Sequence, residues 1–196
     1  MAGERAAGEA ASHPQRGPGA GHGAASQAAP VDPALLRRTM GCFATGVAVI
    51  TAWLDDEPHG MTVNSLTSVS LDPPLLLVCF THGARTADAV RESGRFGVNI
   101  LGARQENVSN MFARRGTDHF AGLNVRPDPD RSPPAIPGAL ARVGCRVERL
   151  LDVGDHVVVF GAVEQAQHRE GAPLLFFGGS YGDFADRGHA AEFWYA

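Results

Sequence analysis

The chain has 196 residues and a formal net charge of −4, from 17 Lys and Arg against 21 Asp and Glu. This length fits one domain with a sizeable core. The slight acidity, without a sustained basic run, argues against nucleic acid or an anionic membrane surface as the main partner.

The first thirty residues are dominated by Ala and Gly and contain no apolar signal-peptide segment. That composition is typical of a disordered extension. We therefore predict a tail over 1–30, a folded domain over 31–184 and a short C-terminal extension over 185–196. No window approaches the roughly eighteen apolar residues of a membrane span, which predicts a soluble, cytoplasmic protein.

A helix is predicted to open the domain, because Asp32 can cap it and Pro33 suits a first helical position. Gly41 or Gly46 would end this helix. Strand patterns follow over 47–53, 59–69 and 75–80. Because short links join these three strands, we predict an antiparallel meander.

The remainder of the domain contains further strands and two short helices. The helices are predicted over 85–93 and 105–114, and the strands over 95–101, 139–151, 156–167 and 173–177. Because strands dominate and the helices lie in connections, the predicted fold class is mainly β with peripheral helices, in a closed or nearly closed barrel. The chain has no GxGxxG after a strand and no GxxxxGK[ST], so neither a Rossmann nor a P-loop nucleotide site is expected.

The segment from Thr62 to Ser70 carries the clearest functional signal. Six of its nine side chains are small, neutral and able to hydrogen-bond: Thr62, Asn64, Ser65, Thr67, Ser68 and Ser70. Such groups suit the edge of a heterocycle or a bound phosphate better than a metal or a proton relay. The alternative is a solvent-facing edge strand rich in Thr and Ser.

Seven sequence blocks, in order, resemble one family. They are MGCFATGVAVIT from Met40, HGMTVNSLTSVSLDPPLLLVCF from His59, FGVNIL from Phe96, the 105–113 helix, GALARVGCRV from Gly138, GDHVVVFGAVE from Gly154 and PLLFFGGSYG from Pro173. On these blocks the chain resembles the flavin reductase family with the FMN-binding split-barrel fold, the reductase components of two-component flavin-dependent monooxygenases.

The resemblance implies an NAD(P)H-dependent flavin reductase, which passes a hydride from nicotinamide C4 of NADH or NADPH to flavin N5 of FMN or FAD. It also implies a homodimer, for which strands 75–80 and 96–101 offer apolar surface, and a partner flavin-dependent monooxygenase that uses the reduced flavin. The protein would then supply mainly orientation and exclusion of water, since the cofactors carry the chemistry.

The resemblance also implies site residues. The flavin ring and ribityl chain would contact Thr62, Val63, Asn64, Ser65, Leu66, Ser68 and Val69, and the phosphate would contact Gly83, Ala84, Arg85 and Thr86 in the loop that begins at His82. His156, Gly178, Gly179, Ser180 and Tyr181 would form the nicotinamide side, with His156 and Tyr181 as the candidate catalytic residues. The residue types in this loop independently support a phosphate contact, because the Arg85 guanidinium offers several hydrogen-bond donors and Thr86 begins a predicted helix. His119 departs from the family, which often has Lys there.

Several alternatives remain at this point. Residues 178–182 match GxSxG, the nucleophile elbow of serine hydrolases, but lack the required strand and helix context. A pyridoxamine-phosphate-type flavin oxidase would need a basic substrate-phosphate pocket, which the sequence does not reveal, and a non-catalytic flavin-binding protein would not need His156 or Tyr181. Cys42, Cys79 and Cys145 lie far apart in apolar or small surroundings, which predicts buried, reduced thiols and no metal site.

Overall fold

The computed structural model describes residues 30–116, 118–123, 125, 130–185 and 188. The elements of this part of the chain, in order, are α1 Pro33–Met40, β1 Thr45–Gly46, β2 Ala48–Leu54, β3 Glu57–Val63, β4 Thr67–Leu71, β5 Pro74–Thr81, α2 Arg85–Ser93, β6 Arg95–Ile100, α3 Glu106–Ala113, β7 Ala141–Val153, β8 His156–His168, β9 Leu175–Phe177 and β10 Ser180–Gly182. The predicted tail and C-terminal extension lie outside the described residues except for positions 30, 185 and 188, and they stay predictions.

Seven strands form one antiparallel sheet in the order β3-β2-β6-β7-β8-β5-β4. This order places β3 and β4 at opposite edges, although only residues 64–66 connect them. A flat sheet of seven strands would hold its edges about 29 Å apart at a strand spacing of about 4.8 Å. The link reaches at most about 14 Å. The sheet must therefore curl until its edges approach each other, which confirms the predicted barrel with a split between β3 and β4.

The predicted strand over 59–69 and the meander around it are wrong in detail. The segment forms two strands, and β3 pairs with β2 whereas β4 pairs with β5. At the link, the Ser65 hydroxyl donates to the Cys79 carbonyl oxygen and accepts from the Cys79 N–H, both at 3.1 Å. This side chain extends the pairing of the chain with β5 beyond the end of β4, so the polar segment itself makes the split.

The core lies inside the curled sheet. Alternate residues of β2, β5, β6 and β8 point into it, together with one face of α2; they include Ile50, Val78, Phe80, Ala89, Val90, Phe96, Val98 and Val159. The opposite face of β2 is also buried, since Val49 packs against Phe112 and Phe120 in a second cluster. Burial on both faces explains why the sequence of β2 is a nearly continuous run of apolar residues.

The second cluster positions the elements around the site. It joins β2 to α3, the segment after α3, and the residues around β9. A separate three-stranded sheet, in the order β1-β9-β10, lies beside it. No helix in the described ranges is long and apolar enough to cross a membrane.

Candidate functional site: a basic cleft along β3

A cleft of about 780 Å³ runs along β3. It is lined by residues 57–62 of β3, by residues 81–86 from the end of β5 to the start of α2, and by residues 112–120 from the end of α3 onwards, with residue 117 outside the described part. We call it the β3 cleft. Its volume lies in the range of small-molecule and cofactor sites, about 300–1,000 Å³.

The loop 82–86 forms one wall, at the start of α2. Gly83 has φ +77°, a conformation that favours glycine. Within the described chain, the main-chain N–H groups of Arg85 and Thr86 have no backbone acceptor. Arg85 is exposed, and no described carboxylate lies within salt-bridge distance of its guanidinium. Free N–H groups at a helix start beside an unpaired guanidinium can hold a phosphate.

The opposite wall is fixed to β3 by His119. Its Nδ1 lies 3.2 Å from the Gly60 carbonyl oxygen, and its Nε2 lies 2.7 Å from the Arg114 carbonyl oxygen. The ring also packs on Phe112, with centroids 5.4 Å apart. Gly60 is required here, because a Cβ on it would lie 2.8 Å from Phe112 Cε1. His119 therefore has a structural role in this wall.

The β3 cleft is basic. Its lining includes Arg85, Arg114, Arg115, His59, His82 and His119, opposed by Glu57 and Asp118. Burial lowers the pKa of His59, and the positive charge of Arg85 lowers it further. No basic pocket was evident from the sequence. The fold forms one by bringing together basic side chains that are as many as 60 positions apart in the chain.

In the polar segment, some side chains form hydrogen bonds or pack within the protein, whereas others have no partner among the described residues. The Thr62 hydroxyl donates to the Ser109 carbonyl oxygen at 2.7 Å, and Ser65 is held by Cys79 as described. Val63 and Leu66 pack against the core and can offer a ligand only their backbone. Asn64 is exposed and has no hydrogen-bond partner among the described residues.

The other predicted flavin contacts lie on β4. This strand is a sheet edge, as the alternative interpretation of the segment required. Ser68 and Val69 are exposed on it, and Ser68 has no side-chain hydrogen bond in the described part of the chain. Exposed polar groups without partners in the described chain would also be available to hydrogen-bond the edge of a flavin ring.

The residues 178–181 form a hairpin. Gly178 and Gly179 have φ +57° and +86° and connect β9 to β10, in which Ser180 pairs with Phe177. Two consecutive left-handed residues are the turn chemistry of a two-residue hairpin loop. Ser180 therefore lies in an antiparallel hairpin, and the nucleophile-elbow alternative lacks its strand-to-helix turn.

Tyr181 is held by α3. Its hydroxyl lies 2.8 Å from the Ser109 hydroxyl and donates to Asn110 Oδ1 at 3.2 Å. Its ring packs edge-on against Phe176. Because Thr62 bonds to the same Ser109, α3 links the hairpin to β3. The roles of Ser109 and Asn110 could not be predicted from the sequence, since polar residues in a short helix carry no signal for contact with a tyrosine about 70 positions away.

His156, the first residue of β8, lies next to the start of the loop 82–86. In the pairing of β5 with β8 it is opposite Thr81, the residue before the loop. Its Nδ1 is 2.7 Å from Asp155 Oδ1, and this hydrogen bond lowers the pKa of Asp155. A carboxylate accepts, so Nδ1 donates and the ring is oriented. Among the described residues no hydrogen bond or ring contact joins His156 to Tyr181.

The three cysteines differ from each other. All are free, but Cys42 is exposed, Cys79 is half-buried and only Cys145 is buried, so the expectation of buried thiols is wrong for Cys42. Burial raises the pKa of Cys145 to about 12. The described residues contain no group of His, Cys, Asp or Glu placed to hold a metal ion.

Comparison shows that the chain is similar to known proteins of one family. The model of the flavin reductase like domain matches residues 40–185. The reductase subunit HsaB of a flavin-dependent monooxygenase from Mycobacterium tuberculosis (strain H37Rv) is 43% identical over 156 residues, which cover 78% of this chain and 83% of the relative.

Two further proteins are similar over the same region. An FMN reductase (NADH), SmoA of Agrobacterium fabrum, is 43% identical over 149 residues, covering 76% of this chain and 84% of the relative. The structure of the NADH:FAD oxidoreductase SgcE6 of Streptomyces globisporus C-1027, in complex with NAD and FAD fragments, aligns with a TM-score of 0.73 at 38% identity. That alignment covers 83% of this chain and all of the other.

Proposed function

The chain belongs to the flavin reductase family, and from this membership we propose that it is an NAD(P)H:flavin oxidoreductase that reduces FMN or FAD for a partner flavin-dependent monooxygenase. One observation carries the assignment to this site. Arg85, which has no carboxylate partner among the described residues, lies beside the free N–H groups at the start of α2, in a cleft that reaches β3. A phosphate there would place the rest of a flavin within reach of Thr62 and the polar segment beyond it.

The residues present fit a flavin. Gly83, Ala84, Arg85 and Thr86 would hold the phosphate, with Arg85 supplying charge and the helix start supplying N–H donors. Asn64, Ser68 and the backbone of Val63 to Leu66 and of Val69 would meet the polar ring edge and the ribityl chain. When bound, the flavin supplies the hydride acceptor and NADH or NADPH supplies the donor.

The nicotinamide side is assigned to His156 and to the hairpin 178–181. Asp155 orients the His156 ring, so its Nε2 can hold a polar group of the donor rather than move a proton. Tyr181 acts through position, because Ser109 and Asn110 already engage its hydroxyl. The chain's contribution to the rate is then orientation of the donor and exclusion of water.

We also propose a homodimer, on different surface from that expected. Strands 75–80 and 96–101 bury most of their large apolar side chains in the chain's own core. The exposed apolar surface lies instead on α1, which has no buried residue, and at Phe43 and Phe177, 69% and 56% exposed. The bond from Gly178 N–H to the Gly41 carbonyl oxygen, 2.9 Å, joins the segment after α1 to the hairpin. Surface of this kind marks an interface, and a two-fold dimer is the commonest assembly.

A cytoplasmic location is part of the proposal, supported by reduced nicotinamide cofactor as electron donor and by free thiols at all three cysteines.

The basic character of the β3 cleft also supports a second candidate function. A pyridoxamine-phosphate-type oxidase needs a basic substrate-phosphate pocket, and this cleft has that character. The family membership favours the reductase.

The test is anaerobic spectroscopy with purified, flavin-free protein. With NADH or NADPH and excess FMN or FAD, the absorbance of both the nicotinamide and the flavin should fall together, and nicotinamide should persist when flavin is omitted. Oxidation of the nicotinamide at equal rate without flavin would contradict the proposal. Oxidation of pyridoxamine phosphate in air by the flavin-loaded protein, with no nicotinamide turnover, would establish the second candidate.

The dimer has its own test, light scattering at micromolar concentration. A fully active monomer would overturn the assembly and leave the reaction untouched. The variant Leu36→Glu, on exposed α1, should shift the mass towards that of one chain, whereas Glu106→Lys on α3 should leave it unchanged.

A further inference from the structure

The β3 cleft extends beyond the residues assigned to FMN. Under the proposed function, on which this inference rests, the ring lies at residues 62–69 and the phosphate at 83–86. The cleft includes Thr62 and the phosphate loop but none of residues 63–69. It runs instead from Thr62 back along β3 to Glu57 and across to the 112–120 wall. Most of the cleft lining therefore lies outside the segment assigned to the ring.

That further part of the cleft carries two arginines that no described carboxylate pairs with. Arg114 and Arg115 line it and are exposed, and neither has a described carboxylate within salt-bridge distance. Among described residues of the lining, only Glu57 and Asp118 oppose them, and Asp118 Oδ1 accepts from the Phe120 N–H at 3.0 Å. Two unpaired guanidinium groups in one cleft favour a phosphate-bearing ligand.

His59 of β3 lines the same cleft as the loop 82–86 and the 112–120 wall. His59, in the middle of β3, is close enough to both Arg85 and His119 that each influences its pKa. His119 in turn holds the Arg114 backbone through the 2.7 Å bond from its Nε2. His119 thus places the Arg114 backbone close to β3, and Arg115 is the next residue in the chain.

We infer that Arg114 and Arg115 form a second phosphate subsite, which binds the adenylate half of FAD and makes this protein prefer FAD to FMN. FMN ends at its one phosphate, whereas FAD continues through a second phosphate into adenosine. The shared chemistry is an adenylate joined through a pyrophosphate, which NADH also contains. The subsite belongs to the flavin, because the same cleft includes the loop 82–86 that would hold the flavin phosphate.

The experiment measures dissociation constants for riboflavin, FMN and FAD, by quenching of flavin fluorescence, in the wild type and four variants. We expect the wild type to bind FAD at least about tenfold more tightly than FMN, the effect of one additional charge-assisted contact. The double variant Arg114→Ala/Arg115→Ala should lose that preference and keep its FMN affinity within about twofold, whereas Arg114→Lys/Arg115→Lys should retain part of it. Arg104→Ala, an exposed arginine near the other end of α3 and outside the cleft, is the matched control and should behave as the wild type.

The remaining variant, Arg85→Ala, separates the inference from the proposal beneath it. If Arg85→Ala fails to weaken FMN relative to riboflavin, the phosphate loop is wrongly placed and the proposed site falls. If Arg85→Ala weakens FMN but the double alanine variant leaves the FAD preference intact, only the second subsite is refuted. If the double variant raises the KM for NADH at saturating FMN and leaves FAD binding unchanged, the subsite belongs to the electron donor and the assignment to flavin is overturned.

Discussion

The β3 cleft and the β9–β10 hairpin use their polar groups in opposite ways. In the cleft, Arg85, Arg114 and Arg115 have no described carboxylate partner, and helix N–H groups remain free. In the hairpin, the Tyr181 hydroxyl has two partners on α3 and its ring has Phe176. A region that leaves charged groups unpaired is suited to bind an anion, whereas one that satisfies its polar groups is suited to hold a position.

The largest effect should come from Arg85→Ala in the cleft. Charge-assisted hydrogen bonds contribute about 1.5–3 kcal/mol, so FMN affinity should fall roughly tenfold to a hundredfold. Riboflavin, which has no phosphate, should bind as before, and calorimetric titration measures both. Arg91→Ala is the control, because Arg91 is on the same helix but outside the cleft and near Asp152. Equal losses for FMN and riboflavin would mean that Arg85 does not bind the phosphate.

Tyr181→Phe tests the hairpin half of the comparison. The change removes the hydroxyl and keeps the ring against Phe176, so we expect the free energy of unfolding to fall by about 1–2 kcal/mol. The KM for the nicotinamide donor should rise, and the FMN dissociation constant should stay within about twofold. Urea unfolding and steady-state kinetics measure these effects. A loss of FMN affinity as large as that of Arg85→Ala would place Tyr181 in the flavin site.

The lowered pKa of His59 predicts a pH effect on stability. Below its ordinary pKa of 6.5 the unfolded chain takes up a proton that the folded cleft resists, so stability falls as the pH drops from 6.5 through the folded pKa of His59. His59→Gln should flatten this part of the profile. Denaturant unfolding between pH 7.5 and pH 5 checks it, and an unchanged slope in the variant would show that His59 is not the group responsible. Asp155 does not interfere, because its lowered pKa places its contribution below the ordinary value of 3.8.

Ser180→Ala should have the smallest effect. The Ser180 hydroxyl is exposed in β10 and has no hydrogen-bond partner among the described residues, so flavin reduction should stay within about twofold of the wild type, as for other surface changes. If Ser180 were a nucleophile, a fluorophosphonate would label it and the substitution would abolish ester hydrolysis. Stoichiometric labelling would overturn the hairpin's assignment to the nicotinamide side.

Much of the fold could be predicted from sequence, because its signals are local. Apolar runs predict β2 and β5, and the Asp-Val-Gly-Asp turn over 152–155 predicts the hairpin between β7 and β8. The break within 59–69 could not be predicted, since it depends on Ser65 bonding to Cys79, fourteen positions away. The same contact decides which edge of the sheet each half of the polar segment joins.

Candidate site residues could be proposed from the sequence only where they are neighbours in the chain. The loop proposed to hold the phosphate is one short segment with its own chemistry, so it could be proposed in this way. The cleft is different, because Arg114, His119 and Gly60 come together through a bond across 59 positions and the packing of Phe112. None of those side chains carries a motif, so the basic pocket emerges only from the folded chain.

A structure of the protein with bound FMN tests the central claim most directly. The account predicts the phosphate within hydrogen-bond distance of the Arg85 guanidinium and the Thr86 N–H, with the ring against Asn64 and the β4 edge. A phosphate bound at Arg114 and Arg115 instead, with the loop 82–86 free, would contradict it.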